Sequence, residues 1–498
     1  VLFLAILLLA VVLRFNNLAL SPYYEWDEPV YTSIGSHVAR TGVIQVKTEL
    51  ASDEPYYLYH PPFHFLLLGE WFKAFGARIE IARILSAILS ILTLVILFFF
   101  LLGYDPDGEM AALLAMLLLS VDGWMVFSNR VAWIENAMMP IGIMGLWIYD
   151  SALRDDTPQQ WRYNLAGFVL AAAALYKHVG LYFLLAVAIC WWIGGRRHAR
   201  AHVTMAATAL ALILFYVWSM YLAYGSTFLE QYQIQVRRTL GLQESRGIVE
   251  SLDHLVAAVT GNYGIYAGMI ATSLLSLGLF FRRIFSAVRR RSMAPLQGNR
   301  LLFSCTAAAL LFFGSISLKI PHYYLMILVP LYSFAAVEVA LEARRNPRHR
   351  KFIAVVVFLL CALNLNTALN LFAGPQRNAG AALRQYLLDN EPPDAVVIAE
   401  ETTGTLIDQP YLKIGRFHRY LNEGILEKYD PTLLVTYESI TQHPPDSPDL
   451  KRLMEISTLV ETFEDFKCRL TLYRLPEGVW RDGARGLKPT SDPPTERP

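Results

Sequence analysis

Long apolar runs separated by short polar loops fill the first three quarters of the chain. A helix needs roughly 20 apolar residues to cross the hydrocarbon core of a bilayer. Eleven segments approach or exceed that length: about 1–19, 81–102, 108–127, 130–149, 162–177, 178–195, 203–224, 264–282, 301–318, 321–342 and 352–373. Three of them are weaker. Asp122 interrupts the third, and the fifth and sixth meet around Lys177 in what could be a hairpin that does not fully cross. The first run lacks a small-residue cleavage site and reads as a retained helix rather than a signal peptide. Beyond residue 373 the pattern changes. "DAVVIAEE", "PTLLVTYES" and the alternating "CRLTLYRL" read as strands, and "AALRQYLLDN" has helical spacing. The pattern predicts a polytopic α-helical membrane domain over 1–373, a small soluble α/β domain over 374–478, and a disordered tail over 479–498. No internal repeat is visible, which weighs against transporters built from duplicated halves.

Composition agrees with this division. Of 498 residues, 55% are hydrophobic and 17% charged, against about 25% charged in soluble proteins. The net charge of +1 says nothing about a nucleic-acid partner, and none is expected. Cys190, Cys305 and Cys361 lie in apolar runs and Cys468 lies alone in the tail, so neither a disulfide framework nor a cysteine zinc site is implied. Basic residues crowd three loops, "RRHAR" (196–200), "RRIFSAVRRR" (282–291) and "ARRNPRHRK" (343–351). With eleven spans all three fall on one side, which the positive-inside rule makes cytoplasmic. The 20–80 loop, the 225–263 loop and the soluble tail then face outward, in a multi-pass protein of the plasma membrane.

The 20–80 loop is too long for a mere connection. It holds eight acids against four bases, three of the acids within "YYEWDEPVY" as Glu25, Asp27 and Glu28. "EPVYTSIGSHVARTG" and "HPPFHFLLLGEWFKAFG" each present an apolar face and predict two helices lying along the membrane surface. Cations gather on the same outer side: Arg130, Lys177 with His178, Arg237 with Arg238, and Lys319 with His322, Tyr323 and Tyr324. Ionisable groups at membrane depth usually mark a pathway or a site. Each also has a plain structural reading. Asp27 or Glu28 could cap a helix ahead of Pro29, Arg130 and Lys177 could anchor at the interface, and the tyrosines could be belt residues. His60 and His64 stand at i, i+4, a spacing that suits either a metal or interfacial packing.

"WDEPVY", "HPPFHFLLLGEWFKAFGARIEIARILSAI", "SNRVAWIENAM", "LYKHVGL" and "KIPHYYLMILVPLY" occur in that order. Together they resemble the polytopic glycosyltransferases of the protein O-mannosyltransferase and aminoarabinose transferase superfamily, which share the GT-C fold. The resemblance spans roughly residues 1–345. It implies inverting transfer of a sugar from a polyprenyl- or dolichyl-phosphate carrier to an acceptor at the outer face. Asp27 would be the general base and Glu28 its support. Arg130 and Glu135 match an R-x-A-x-x-[DE] stretch, and Lys177 matches K-x-x-G. Where aminoarabinose transferases have Glu-Lys before a proline, this chain reads Tyr59-His60-Pro61-Pro62, so transfer of aminoarabinose to lipid A is not supported. The loop over 225–263 is also too short for the extra domain of animal and fungal protein mannosyltransferases.

The chemistry needs a carboxylate to take the acceptor proton and cations to meet the charge on the leaving phosphate. Asp27 suits the first role, and Arg130, Lys177, Lys319 and Arg237 suit the second. His60, His322, Tyr323 and Glu135 are candidates for the substrate pocket, and a divalent cation, Mg or Mn, is the one cofactor such a site could use. The expected partners are a polyprenyl-phosphate-linked sugar, membrane lipids, and a glycan, lipid or protein acceptor. The rival readings are a flippase or transporter of lipid-linked sugars and an inactive assembly protein.

Overall fold

The computed structural model describes residues 1–18, 27–44, 57–104, 108–155, 157–194, 198–240, 267–297, 299–315, 323–373, 379–392, 395–400, 413–417, 431–439, 453–464 and 468–476. The chain divides into two compact units. One comprises Val1–Leu18, Val38–Ile44 and Tyr57–Gly374, and the other Ala19–His37, Gln45–Tyr56 and Pro375–Pro498. Lys319, His322 and the predicted disordered tail lie outside the described residues.

The first unit is helical. After α1 (Leu2–Phe15) and α2 (Asp27–Thr41, whose last turn belongs here) come α3 (Phe63–Phe75), α4 (Ile79–Leu102), α5 (Gly108–Val121), α6 (Gly123–Arg130), α7 (Glu135–Arg154), α8 (Gln160–Ala174), α9 (Leu181–Ile193) and α10 (Ala199–Leu240). They are followed by α11 (Ala267–Arg289), α12 (Arg300–Ser315), α13 (Tyr324–Arg345) and α14 (Arg350–Ala373). Helices α4 and α13 are central, with 61% and 83% of their most apolar windows buried, whereas α10, α11 and α14 bury only 22–28% and turn apolar side chains outward. That outward surface suits lipid contact, and the chain is a multi-pass membrane protein. Small residues let the inner helices approach closely. A Cβ on Gly142 of α7 would collide with the Phe183 ring of α9.

The count of eleven membrane spans is not confirmed. Each expected segment is helical over most of its length, but among the described residues five helices are long and apolar enough to cross, or six if the bent pair α5–α6 is one span. The reason lies in the breaks. Helix α5 stops at Asp122 and α6 leaves at 68°. The Asp122 carboxylate accepts the Met125 N–H at 2.9 Å and so caps α6. It also accepts the Tyr332 hydroxyl of α13 at 3.0 Å, with no exposed surface. At Lys177 the backbone is extended between α8 and a single 3-10 turn, His178–Gly180, which leads into the short α9. Helix α10 continues well past its expected end at 224, through a kink at Gly225 with φ 59°.

Two buried arginines close helix ends that would otherwise leave carbonyls unsatisfied. Arg14 of α1 donates to the Leu119 and Ser120 carbonyls of α5 at 3.0 and 3.1 Å. Arg130, the last residue of α6, donates to the Leu13 and Asn16 carbonyls at the end of α1 at 3.0 and 2.5 Å.

In the second unit, α15 (Ala379–Asn390) precedes β1 (Val396–Glu400), β2 (Lys413–Phe417), β3 (Leu433–Ser439), β4 (Thr458–Glu464) and β5 (Cys468–Arg474). The sheet order is β2-β1-β3-β5-β4. Strand β1 runs parallel to β2 and β3, with Val397 opposite Leu433. Strand β5 runs antiparallel to β3 and β4, with Thr471 opposite both Thr436 and Thr462. Ala379, Leu383 and Leu387 on one face of α15 pack on Val397, Leu433, Val435, Leu470 and Leu472. This is the small α/β arrangement expected from the alternating pattern.

Replacing Asp122 with Ala removes a cap and a buried hydrogen bond to a carboxylate. It should lower the stability of the helical unit by about 2 to 4 kcal/mol. Thermal unfolding in detergent reads this as a midpoint several degrees lower, and an unchanged midpoint would show that the bend does not depend on Asp122.

Candidate active site

The turn between α6 and α7 is shaped by its own side chains. The Asn136 amide donates to the Ser128 and Val131 carbonyls at 2.9 and 3.0 Å, which folds residues 131–134 back on themselves. Ala132 is buried against Leu68, Phe72, Ala82 and Leu85 of α3 and α4. The turn therefore fixes three side chains of the R-x-A-x-x-E stretch in different ways. Arg130 holds the end of α1, Ala132 fills the contact with α3 and α4, and Glu135 starts α7, where the helix dipole favours a carboxylate.

Glu135 meets Lys177. The ammonium donates to Glu135 Oε1 at 2.6 Å, with side-chain exposures of 3% and 0%. The same ammonium lies 5.1 Å from the Tyr323 ring centre, a cation–π contact. Gly180 explains the K-x-x-G spacing. A Cβ there would come within 2.8 Å of the Ala173 carbonyl, so only glycine lets the turn after Lys177 fold against the end of α8. His64 of α3 is buried beside this pair. Burial drives its pKa down to about 3, with Glu135 opposing the shift and Lys177 adding to it, so the ring is neutral at physiological pH.

The kinked second half of α10 closes over the same region. Gln231 accepts the Leu58 N–H at 2.7 Å. Tyr232 packs edge-on against His178 at 5.0 Å, and Phe228 joins Leu58 and Leu175 in an apolar cluster. Arg237, farther along α10, is exposed. His60 is buried, with its ring 5.9 Å from that of Tyr57. It precedes α3, which begins at Phe63, so it does not share a helical face with His64. Among the described residues no group of three or more His, Cys, Asp or Glu could hold a metal ion, and Glu135 is engaged by Lys177.

Residues 59–221, which contain the whole Arg130–Glu135–Lys177 arrangement, match a family described as dolichyl-phosphate-mannose-protein mannosyltransferase. The fold is similar to that of ArnT from Cupriavidus metallidurans bound to undecaprenyl phosphate, with TM-score 0.63, 13% identity, and coverage of 94% of this chain and 97% of that one. It is also similar to the archaeal oligosaccharyltransferase AglB from Archaeoglobus fulgidus in complex with an inhibitory peptide and a dolichol-phosphate. There the TM-score is 0.58 and the identity 13%, over 87% of this chain and 69% of that one. No curated protein sequence matches the chain. The family match covers about a third of the chain, and the likeness to the two solved structures, each at 13% identity, is one of fold.

The acids of the first loop belong to the other unit and are described within it. Asp27 and Glu28 form the first turn of α2. Asp27 is half-buried, and its Oδ2 accepts the Tyr31 hydroxyl at 3.2 Å, one helical turn on. Glu28 has no exposed surface, and its backbone carbonyl accepts the Thr32 hydroxyl at 2.8 Å. Both acids also sit where the helix dipole favours them, so the dipole accounts for their position without excluding a chemical role. Tyr31 and Asn136 are the positions that no motif singled out. The i, i+4 spacing of "DEPVY" was the available signal for Tyr31.

A double-mutant cycle of Glu135→Gln and Lys177→Met tests the pair. Either single change leaves a buried charge without its counter-ion and should cost about 3 to 5 kcal/mol, while the double variant should recover a large part of that loss. Strictly additive losses in the unfolding midpoint would mean that the two groups act independently.

Proposed function

We propose that the chain transfers a sugar, with inversion, from a polyprenyl-phosphate carrier to an acceptor hydroxyl at the outer face of the membrane. The observation that carries the reading is the buried Lys177 ammonium, oriented by Glu135 and roofed by Tyr323. A cation held this way, away from water, is a donor prepared for phosphate oxygens, and a low-dielectric setting makes it far more effective than a solvated lysine. The carriers named for the two solved relatives, undecaprenyl phosphate and dolichol-phosphate, both present a phosphate on an isoprenoid chain.

In the proposed step Asp27 takes the proton of the acceptor hydroxyl as that oxygen attacks C1 of the sugar. The bond between C1 and the phosphate oxygen breaks, and its electron pair leaves on the polyprenyl phosphate. Lys177 meets the added negative charge, and Glu135 keeps the ammonium aimed. Tyr31 orients the Asp27 carboxylate through its hydrogen bond. Arg130 supports the step by holding the end of α1, where both terminal nitrogens of its guanidinium donate to backbone carbonyls.

Asp27→Asn should reduce transfer from a radiolabelled polyprenyl-phosphate sugar by about 10²-fold or more, with unchanged donor binding and an unchanged melting profile. Lys177→Ala should weaken donor binding. Near-normal turnover of Asp27→Asn would remove the base from the scheme, and unaltered donor affinity of Lys177→Ala would remove the phosphate role.

A further inference from the structure

The C-terminal ends of α11 and α13 meet and carry far more positive charge than the fold uses. Arg283 of α11 makes a forked pair with Glu338 of α13 at 2.6 and 2.8 Å, and Asn299 donates to the same carboxylate at 2.9 Å. Glu342, the next acid on α13, accepts from Asn346 at 2.6 Å and lies 3.2 Å from His349. The acids of this end are thereby engaged. Around them Arg289, Arg290, Arg291, Arg345, Arg348 and Lys351 are all exposed. Residues 267–291 and 343–351 contain no acid at all. Apolar side chains stand among these cations, with Phe285 67%, Val288 68% and Phe352 70% exposed. Cations interleaved with exposed aromatic and aliphatic groups suit the headgroup region of a bilayer better than bulk water.

One position argues that the charge is more than a solvated helix end. Helix α11 closes in a 6→1 and 5→2 hydrogen-bond pattern, Ser292 N–H to Ala287 at 3.1 Å and Arg291 N–H to Val288 at 3.0 Å. That motif places its penultimate residue in the left-handed region, where glycine is the usual occupant. Here it is Arg291, with φ 47°. A side chain with a Cβ is held there in a conformation that costs it energy, while the neighbouring arginines extend the same row.

We propose that this end of the bundle is a binding surface for the headgroups of anionic phospholipids. Clusters of four to eight Lys or Arg beside a membrane helix act this way, each worth roughly 1 kcal/mol near an anionic surface, or about fivefold in binding. The surface is separate from the Lys177 region and goes beyond the transfer reaction. It would hold α11, α13 and α14 in register at the membrane surface through lipid phosphate, and it would make the chain sensitive to the lipid composition of that leaflet.

The test uses the purified full chain in neutral detergent at low salt, with short-chain phosphatidylglycerol or phosphatidylcholine added and retained lipid counted by native mass spectrometry. The wild type should retain phosphatidylglycerol over phosphatidylcholine by about tenfold or more. The triple variant R289Q/R290Q/R291G should lose that preference while melting no lower, because glycine relieves position 291. Inorganic phosphate at the same concentration should not displace the lipid. Equal retention of the two lipids by the wild type, or a preference kept by the triple variant, would overturn the proposal. Full displacement by inorganic phosphate would show a free-anion site instead and overturn it equally.

Discussion

Glu135 and Lys177 lie 2.6 Å apart where water does not reach, and neither charge could stay there without the other. Desolvating either group alone costs several kcal/mol, so the pair constrains everything that brings it together. The turn held by Asn136 presents Glu135. The close fold around Gly180 presents Lys177, and Tyr323 covers the ammonium. A buried pair like this is weak evidence for stability, because a well-packed apolar pair would serve that end at least as well. The proposed transfer supplies a second use for the pair, beside neutral His64: chemistry that needs a dry cation.

The surrounding residues divide between those that could touch a substrate and those that hold the frame. Arg130 looked like a phosphate ligand because it is a cation in a recognisable spacing. Its guanidinium satisfies the last carbonyls of α1, much as Arg14 satisfies those of α5. Asp122 likewise stands at a helix break and ties it to α13 through Tyr332. These polar groups are buried because broken helices leave orphan backbone groups in an apolar setting, and only side chains are available to satisfy them. The breaks are thus the source of both the fold's irregularity and its buried charge.

Much of the architecture was legible in the apolar runs. Length and composition dictate where helices form, and the two weak points at Asp122 and Lys177 are breaks in the structure. Helices α2 and α3 stand where the amphipathic stretches of the first loop placed them. What stayed hidden depends on distant partners. Nothing local says that Arg130 will reach residues 13 and 16. The His60–His64 spacing misled because Pro61 and Pro62 disfavour helix before them, so α3 starts only at Phe63. Strands β2 and β4 escaped notice because "KIGRF" carries a glycine and two charges, while "TLVETFE" is an exposed edge without clean alternation.

The central claim is that Lys177 is the group prepared for the carrier phosphate. The most direct measurement is a structure of the full chain with a non-transferable polyprenyl phosphonate sugar. A phosphonate oxygen at about 2.7 to 2.9 Å from Lys177 Nζ, the range of a charge-assisted hydrogen bond, is the predicted result. A phosphonate bound elsewhere, with the Glu135–Lys177 pair closed and untouched, would contradict it.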